Sequence, residues 1–164
     1  MNSIIPRNFI YTFIFFLALI VGGLALFTNH TLSLKHCTQT PTVHLGGKVF
    51  MITIADTPSS RTQGLSGTPS LAQNAGMLFV FSSSSKKEFW MKDMAYPIDI
   101  IWIDAEWRVT GVVSEASPDS YPASFPSPIN TRYALEVNAG VAATLGVGVG
   151  SIIQNDLTCV SSDF

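Results

Sequence analysis

The sequence predicts a mainly β domain, of the β-rich α+β class, preceded by an N-terminal transmembrane helix. Many short runs rich in aromatic and β-branched residues are separated by turn residues, which favours a compact antiparallel sheet or a partial barrel. Glycines interrupt the remaining stretches, so we expect only one or two short helices. An uncharged apolar run at residues 9–27 predicts the transmembrane helix.

The apolar run FIYTFIFFLALIVGGLALF has the length of a membrane span. At about 1.5 Å of rise per residue it makes a helix of about 28 Å, close to the thickness of the hydrocarbon layer. A signal-peptide core is shorter, typically about 7–15 apolar residues. We therefore expect an uncleaved anchor, and the alternative is a signal cleaved near Ala25 that leaves a secreted protein.

Charge next to the span predicts its orientation. Arg7 precedes the apolar run, and positive charge near a span tends to stay in the cytoplasm. We expect residues 1–8 in the cytoplasm, a tether at 28–42, an outward-facing domain at 43–157 and a tail at 158–164. The domain then faces the periplasm or the outside of the cell.

The charge balance argues against one class of partner. The chain has 9 basic and 11 acidic residues, a formal net charge of −2, and no block of one sign. Proteins that bind nucleic acid carry a basic stripe that neutralises phosphates. We therefore expect no nucleic-acid partner.

The two cysteines, Cys37 and Cys159, flank the predicted domain. In an oxidising compartment such a pair can form a disulfide that closes the whole domain into one loop. The chain-entropy relation assigns about 4–5 kcal/mol to a loop of that length. Two free thiols near the chain ends are the alternative, because Cα separation cannot be read from sequence.

The first half of the domain alternates between strand patterns and turns. Residues 48–55 place apolar side chains on two alternating faces, which predicts a strand. Asp56 and Thr57 then supply N-cap residues for a short helix at 60–65. Further strands are predicted at 76–81, 88–91 and 98–104.

The second half contains a proline-rich stretch between strands. Residues 107–115 are the predicted hairpin partner of the strand before them. Four prolines in 117–130 predict a long loop, because proline removes a ladder donor. After it we expect a strand at 133–137, a small helix at 141–145 and a last strand at 151–154.

Several motifs resemble the family known as domain of unknown function 192. They are Arg61 with Gly64-Leu65, GMLFVF at 76–81, FWMKD at 89–93, PIDI at 97–100, LEV at 135–137 with Gly140, and Gly148-x-Gly150. The resemblance implies a compact, mostly β fold that is often exported. It implies no established reaction and therefore no catalytic residue.

The chain departs from the family pattern at three places. It has Ser66 where the family often has Met, and Asp93-Met94 where the family often has Asn-Thr. It has Trp107 at a turn where the family usually has Gly.

Asp99 is the most unusual residue for its surroundings. It lies in the apolar run PIDII, on one strand face with Ile101 and Ile103. A carboxylate there is costly unless it is paired or hydrogen-bonded, and Lys92 and Arg61 are the expected partners. We favour a structural ion pair or a cap on buried amides over a general acid or base.

Asp93 and Glu136 extend this set of carboxylates. Together with Asp99 they suggest a pair for glycoside hydrolysis, which needs two carboxyl groups across a cleft. The alternative, which we favour, is surface carboxylates near strand ends.

Four aromatic residues cluster in the same part of the sequence: Trp90, Tyr96, Trp102 and Trp107. Trp102 shares a face with Ile98 and Ile100, so we expect it in the core. Trp107 stands at a hairpin end, where we expect exposure. Exposed aromatic rings beside a carboxylate can stack on sugars or peptides, and core packing is the alternative.

No cofactor or metal site is predicted. The residues considered for metal binding are His30, His36, Cys37 and His44, with Met91 and Met94 as soft donors that suit Cu(I). Their spacing matches no standard site. The chain also lacks a Gly-x-Ser-x-Gly elbow, which argues against a serine hydrolase.

The leading hypothesis is a membrane-anchored binding or accessory module of the cell envelope, with the proline-rich stretch as a lid. Its partners would be an envelope glycan, a peptide or a membrane protein. The alternatives are a carboxylate-dependent hydrolase of envelope glycans and a structural partner of another membrane protein. The catalytic residues are unknown. The candidate functional face comprises Trp90, Lys92, Asp93, Asp99, Arg61, Glu136 and Trp107.

Overall fold

Seven of the nine strands in residues 40–157, the part of the chain that the computed structural model describes, form one curled sheet. The other two strands form a small second sheet. The strands are β1 (Thr42–Leu45), β2 (Lys48–Ala55), β3 (Ala75–Val80), β4 (Glu88–Trp90), β5 (Ile98–Ile103), β6 (Val109–Ala116), β7 (Ser124–Pro126), β8 (Tyr133–Asn138) and β9 (Gln154–Asp156). The helices are α1 (Pro58–Gln63), α2 (Val141–Thr144) and a 3-10 turn at Pro118–Ser120.

The large sheet is mixed rather than purely antiparallel. Its order is β6-β5-β8-β3-β2-β1-β9. Neighbours run antiparallel except β2 and β3, which are parallel. The antiparallel expectation is wrong at this pair, because residues 56–74 are long enough to carry the chain back across the sheet through α1.

The two edge strands meet, so that the sheet curls into a partial barrel. Arg108, just before β6, forms an antiparallel bridge with Ile152, just before β9. The Val109 amide donates to the Ser151 carbonyl at 2.8 Å beside this bridge. The expectation of a mainly β fold with a partial barrel and two short helices is confirmed for the described residues.

The sheet separates two hydrophobic clusters. Inside the curl lies the inner core, which contains residues of β1, β2, β3, β5, β6 and β8 together with Ala142 of α2. On the opposite face lies the outer core, which includes Leu65 of the turn after α1 and is packed against Phe89 and Phe125 of the β4–β7 sheet. All six residues of β5 are buried, with Ile101 in the inner core and Ile100 and Trp102 in the outer core, as the alternation predicts.

Helix α1 begins two residues earlier than the sequence predicts. Thr57 is its N-cap, and the Ser60 amide donates to Thr57 Oγ1 at 3.1 Å. In return the Thr57 amide donates to Ser60 Oγ at 3.0 Å, which completes a capping box. Proline suits the first helical position because that position needs no amide donor, so Pro58 starts the helix.

The predicted proline-rich loop contains a strand. Residues Ser124–Pro126 form β7 and pair with β4, and Phe125 pairs with Phe89. Phe125 packs against the outer core, which stabilises a strand that the prolines limit to three residues. A second unpredicted strand is β1, which begins at Thr42, inside the predicted tether.

Residues 1–39 and 158–164 lie outside the described part of the chain, and with them the predicted anchor, Cys37 and Cys159. Thr42 of β1 pairs with Asp156 of β9, so the two ends of the described segment lie side by side. The disulfide between the two cysteines stays a prediction. Within residues 40–157, neither helix has the length and apolar character needed to cross a bilayer.

Candidate functional site

A cleft of about 600 Å³ lies on the outer face of the sheet, between α1 with its following turn and strand β4. Three kinds of residue meet in it. Glu136 is its buried acid, Arg61, Lys86 and Lys87 are its bases, and Phe79, Phe81, Phe89, Trp90 and Met94 line its apolar walls. These groups come from separate elements, so only the folded chain brings them together.

Glu136 is buried, and one of its carboxyl oxygens has no partner. It lies on β8 between Met77 of β3 and Ile100 of β5, and the strand alternation directs it to the outer face. The residue is 5% exposed, and Oε2 is the one buried side-chain polar atom without a hydrogen bond in residues 40–157. Burial raises the pKa of Glu136 to about 8, so the carboxyl group is protonated at neutral pH.

Arg61 is held in place by backbone carbonyl groups. Its Nη1 donates to the Val80 carbonyl at 2.9 Å and also to the Asp56 carbonyl. The guanidinium carbon lies 5.6 Å from the centre of the Phe81 ring, within cation–π range. Among the described residues, Nε and Nη2 make no hydrogen bond to protein, so these donors are available to a ligand.

Lys87 is the second cation of the cleft that contacts the ring of Phe81. Its Nζ is 4.4 Å from the centre of the Phe81 ring and donates to Ser85 Oγ. Burial, and then the positive charges of Arg61 and Arg132, lower the pKa of Lys87. The second cause means that Arg61 and Lys87 are close enough to repel each other.

Strand β4 fixes the aromatic wall. Phe89 points into the outer core and contacts Phe79 and Trp102 edge to face, at centroid distances of 4.7 Å and 4.9 Å. The next residue, Trp90, points the other way and is 54% exposed. Its ring contacts Tyr121 at 6.4 Å from centroid to centroid, which places the 3-10 segment of the proline-rich stretch beside the cleft.

A smaller pocket of about 280 Å³ adjoins the cleft. Trp90 lines both, and Lys92 and Asp93 line the smaller one. Asp93 has a φ of 56°, in the left-handed region that Asp and Asn tolerate better than most residues. The structure therefore brings five of the seven predicted residues to this surface: Arg61, Trp90 and Glu136 in the cleft, and Lys92 and Asp93 beside it.

Asp99 lies elsewhere, in the wall of the inner core. It is fully buried, and its Oδ1 accepts hydrogen bonds from the amides of Glu115 at 2.8 Å and Gly140 at 3.1 Å. Its Oδ2 accepts from the Ala142 amide at 2.8 Å. The favoured interpretation of Asp99 as a cap on buried amides agrees with this geometry.

Two expectations about Asp99 are wrong. Its hydrogen-bond partners are backbone amides, not Lys92 or Arg61. Asp99 also pairs across the sheet with Val137, the neighbour of Glu136, so Asp99 and Glu136 point to opposite faces. These two carboxylates therefore cannot flank one glycosidic bond.

Trp107 is not part of the cleft, and the expected exposure is wrong. It is half-buried against the inner core and stacks on Tyr133, with ring centres 4.3 Å apart and planes at 20°. Its φ of 61° is in the left-handed region, which is the reason that glycine suits this turn. Stacking on Tyr133 stabilises the tryptophan in that strained turn.

Sequence reasoning missed the basic pair Lys86-Lys87 and the role of Phe81. The signal was present, because the two lysines lie just before the aromatic pair Phe89-Trp90, separated from it by Glu88 alone. Their approach to Arg61 depends on the crossover that carries α1, and no local pattern encodes it.

The structure also places the residues considered for metal binding that lie within residues 40–157. Met91 is buried in the outer core, and Met94 lines the cleft. His44 lies on β1, and no group of three or more His, Cys, Asp or Glu side chains in the described range is arranged to hold a metal ion.

The curled sheet and its cleft define a small β-rich domain with an aromatic, basic-sided pocket on its outer face. The chain belongs to the family of the domain of unknown function 192, described as an uncharacterised ACR, whose family model matches residues 41–155. The resemblance in the sequence motifs is thereby confirmed.

Two solved structures are similar to this chain. A candidate transcription regulator from Sinorhizobium meliloti 1021 is 30% identical, with a TM-score of 0.66 over 71% of this chain and 94% of its own. A protein of unknown function from Novosphingobium aromaticivorans DSM 12444 is also 30% identical, with a TM-score of 0.65 over 70% of this chain and 83% of its own. No curated protein matches the chain.

Proposed function

We propose that the protein is a ligand-binding module and that the cleft is its binding site. The observation that carries this proposal is Glu136, whose buried Oε2 has no hydrogen-bond partner among the described residues although the side chain lines the cleft. A buried polar group without a partner costs about 1–3 kcal/mol. A bound molecule that supplies the missing hydrogen bond removes this cost.

The composition of the cleft favours binding. Ligand pockets combine apolar and aromatic walls with a few convergent polar groups, and their volumes are about 300–1,000 Å³. This cleft has aromatic walls, a volume of about 600 Å³ and polar groups from α1, β8 and the segment before β4. The exposed ring of Trp90 offers a flat face to a sugar, an aromatic group or a peptide side chain.

The cellular setting is the second part of this proposal. We propose that residues 9–27 anchor the chain in a membrane, that the domain faces outward, and that the ligand is a component of the cell envelope. The uncharged run and the preceding Arg7 support this orientation. Protease digestion of membrane vesicles of known orientation tests it, since the proposed domain is cut from one side only. Digestion from the cytoplasmic side contradicts it.

Fragment screening tests the proposed binding site directly. Ligand-observed NMR on the full-length chain in non-ionic detergent, with anionic, neutral and cationic fragments, should identify binders. Trp90→Ala should weaken those binders at least tenfold. Met51→Ala is the matched control, because Met51 is also 54% exposed and lines neither pocket.

Two outcomes contradict the proposed binding site. One is that no fragment of any charge binds the folded protein. The other is that Trp90→Ala and Met51→Ala affect every binder equally.

A further inference from the structure

We propose that the ligand of the cleft is a small organic acid, an oxyanion on an apolar or aromatic body. Its anionic group contacts Arg61 and Lys87, and its body lies against Phe81, Phe89 and Trp90. This inference rests on the proposed function and adds the chemical class of the ligand.

The first argument is an unneutralised positive charge. Arg61 and Lys87 both line the cleft, and both contact the ring of Phe81. Within residues 40–157 neither has an ion-pair partner, and their mutual repulsion contributes to the lowered pKa of Lys87. Two cations held together without an ion-paired carboxylate attract an anion into the cleft.

The second argument is the geometry of Arg61. Its Nη1 is occupied by the carbonyls of Asp56 and Val80, which fix the plane of the guanidinium group. Its Nε and Nη2 remain available on the other edge. That edge matches the two oxygens of a carboxylate, a sulfonate or a phosphate, and a fixed guanidinium loses little freedom on binding.

The third argument is the apolar surface beyond the cations. Phe79, Phe81, Phe89, Trp90 and Met94 line the same cleft, so an inorganic anion leaves most of the surface uncovered. An apolar body removes this surface from water, which favours binding. The ligand therefore has both an oxyanion and an apolar body.

Glu136 is compatible with an anionic ligand because its carboxyl group is neutral at pH 7. The charged groups that line the cleft with it are Arg61, Lys86, Lys87 and Glu88. Burial is the cause of the raised pKa of Glu136, which is about 8. Above that pH the ionised carboxylate repels an anion, so affinity should fall more steeply as the pH rises through 8 in wild type than in Glu136→Gln, which retains only the titration of Lys87.

Matched acids and amides test the proposal by isothermal titration calorimetry on the full-length chain in non-ionic detergent. The first pair is 1-naphthaleneacetate and 1-naphthaleneacetamide, which share one body and differ in charge. The second pair is the tripeptide Ala-Ala-Phe with a free or an amidated C-terminus, which separates a small acid from a peptide terminus. We expect naphthaleneacetate to bind at least tenfold more tightly than its amide, and the free peptide to show a smaller preference.

Variants of the two cations identify where the charge is recognised. Lys87→Gln should reduce the acid-to-amide preference at least threefold, and Arg61→Lys should reduce it similarly because lysine keeps the charge but lacks the fork. Lys48→Gln is the control, since Lys48 is exposed at the start of β2 and lines neither pocket.

Three results overturn the inference. Equal binding of acid and amide does so, as does an unchanged preference in both cation variants. Binding of neither naphthalene compound does so too. The proposed binding site survives each of these results as long as other fragments bind in a Trp90-dependent way, so the two proposals fail separately.

Discussion

Asp99 and Glu136 are two buried carboxyl groups on adjacent strands, and the sheet gives them opposite environments. Asp99 faces the inner core and accepts three backbone hydrogen bonds. Glu136 faces the outer side and leaves Oε2 without a partner in the described chain. Both are almost inaccessible to water, at 0% and 5% exposure.

The difference teaches that burial of a charged residue type does not by itself indicate function. Asp99 accepts hydrogen bonds from amides at the end of β6 and the start of α2, and these bonds offset the free-energy cost of burying its carboxyl group. Glu136 has no such compensation, and its burial instead raises its pKa to about 8. The missing hydrogen bond at Glu136 Oε2, rather than the burial of the side chain, is what indicates a binding site in the cleft.

The largest loss of stability that we predict for a substitution is that of Asp99→Ala. This change removes the acceptor of three amides, of which that of Ala142 is buried and those of Glu115 and Gly140 are partly buried. We expect the free energy of unfolding to fall by on the order of 4 kcal/mol, measured by urea denaturation. A loss below about 1 kcal/mol contradicts a structural role for Asp99.

On the opposite face, Glu136 is expected to make the stability of the fold depend on pH. The folded state keeps a proton that the unfolded chain loses near the ordinary value of 4.5, because the folded-state pKa is about 8. The contribution of Glu136 to stability is therefore full below pH 4.5 and is lost as the pH rises to about 8. The slope is up to about 1.4 kcal/mol per pH unit.

Glu136→Gln removes this dependence, so its stability relative to wild type should increase across that range and level off above pH 8. Thermal unfolding of both proteins at several pH values measures the difference. A difference that stays constant from pH 4.5 to 8 contradicts the neutral buried carboxyl.

A smaller effect is expected at Gly76, where the inner face approaches the backbone of Glu136. A Cβ at Gly76 would lie 2.8 Å from the Glu136 carbonyl oxygen and 3.2 Å from Ile52 and Val137 side-chain atoms. Gly76→Ala should therefore lower stability by about 1–3 kcal/mol. Gly148→Ala is the matched control, because no atom lies within 4 Å of its Cβ. Equal effects in urea denaturation would contradict this close approach.

The smallest stability effect is expected in Trp90→Ala. The side chain is half exposed and its ring contact is with Tyr121, itself 46% exposed. We expect a change in unfolding free energy within about 1 kcal/mol, together with the loss of cleft binding described above. A large destabilisation would show that Trp90 is a packing residue like Phe89 and would argue against its proposed role in contacting the ligand.

The strand pattern could be predicted from sequence because side chains alternate with a period of two. That alternation placed Asp99 with Ile101 and Trp102 with Ile100, and both placements are confirmed. The partners of Asp99 could not be predicted, because its three amides come from distant parts of the chain.

The sequence predicts residues of the candidate site but not the way they come together. Arg61, Trp90 and Glu136 are each predicted as candidate functional residues, but their approach to Lys87 depends on the parallel pairing of β2 and β3 across α1. An apolar strand sequence does not specify whether its neighbour runs parallel or antiparallel. Strand β7 could not be predicted from sequence either, because its proline is typical of a loop.

The most direct test of the cleft as a ligand site is a carbon-13 NMR titration of the Glu136 carboxyl group, assigned by comparison with Glu136→Gln. We predict a signal that titrates near pH 8 in the free protein and shifts when 1-naphthaleneacetate is added. A signal that titrates near the ordinary value of 4.5 and does not respond to any cleft ligand would contradict the assignment of Glu136 to the binding site.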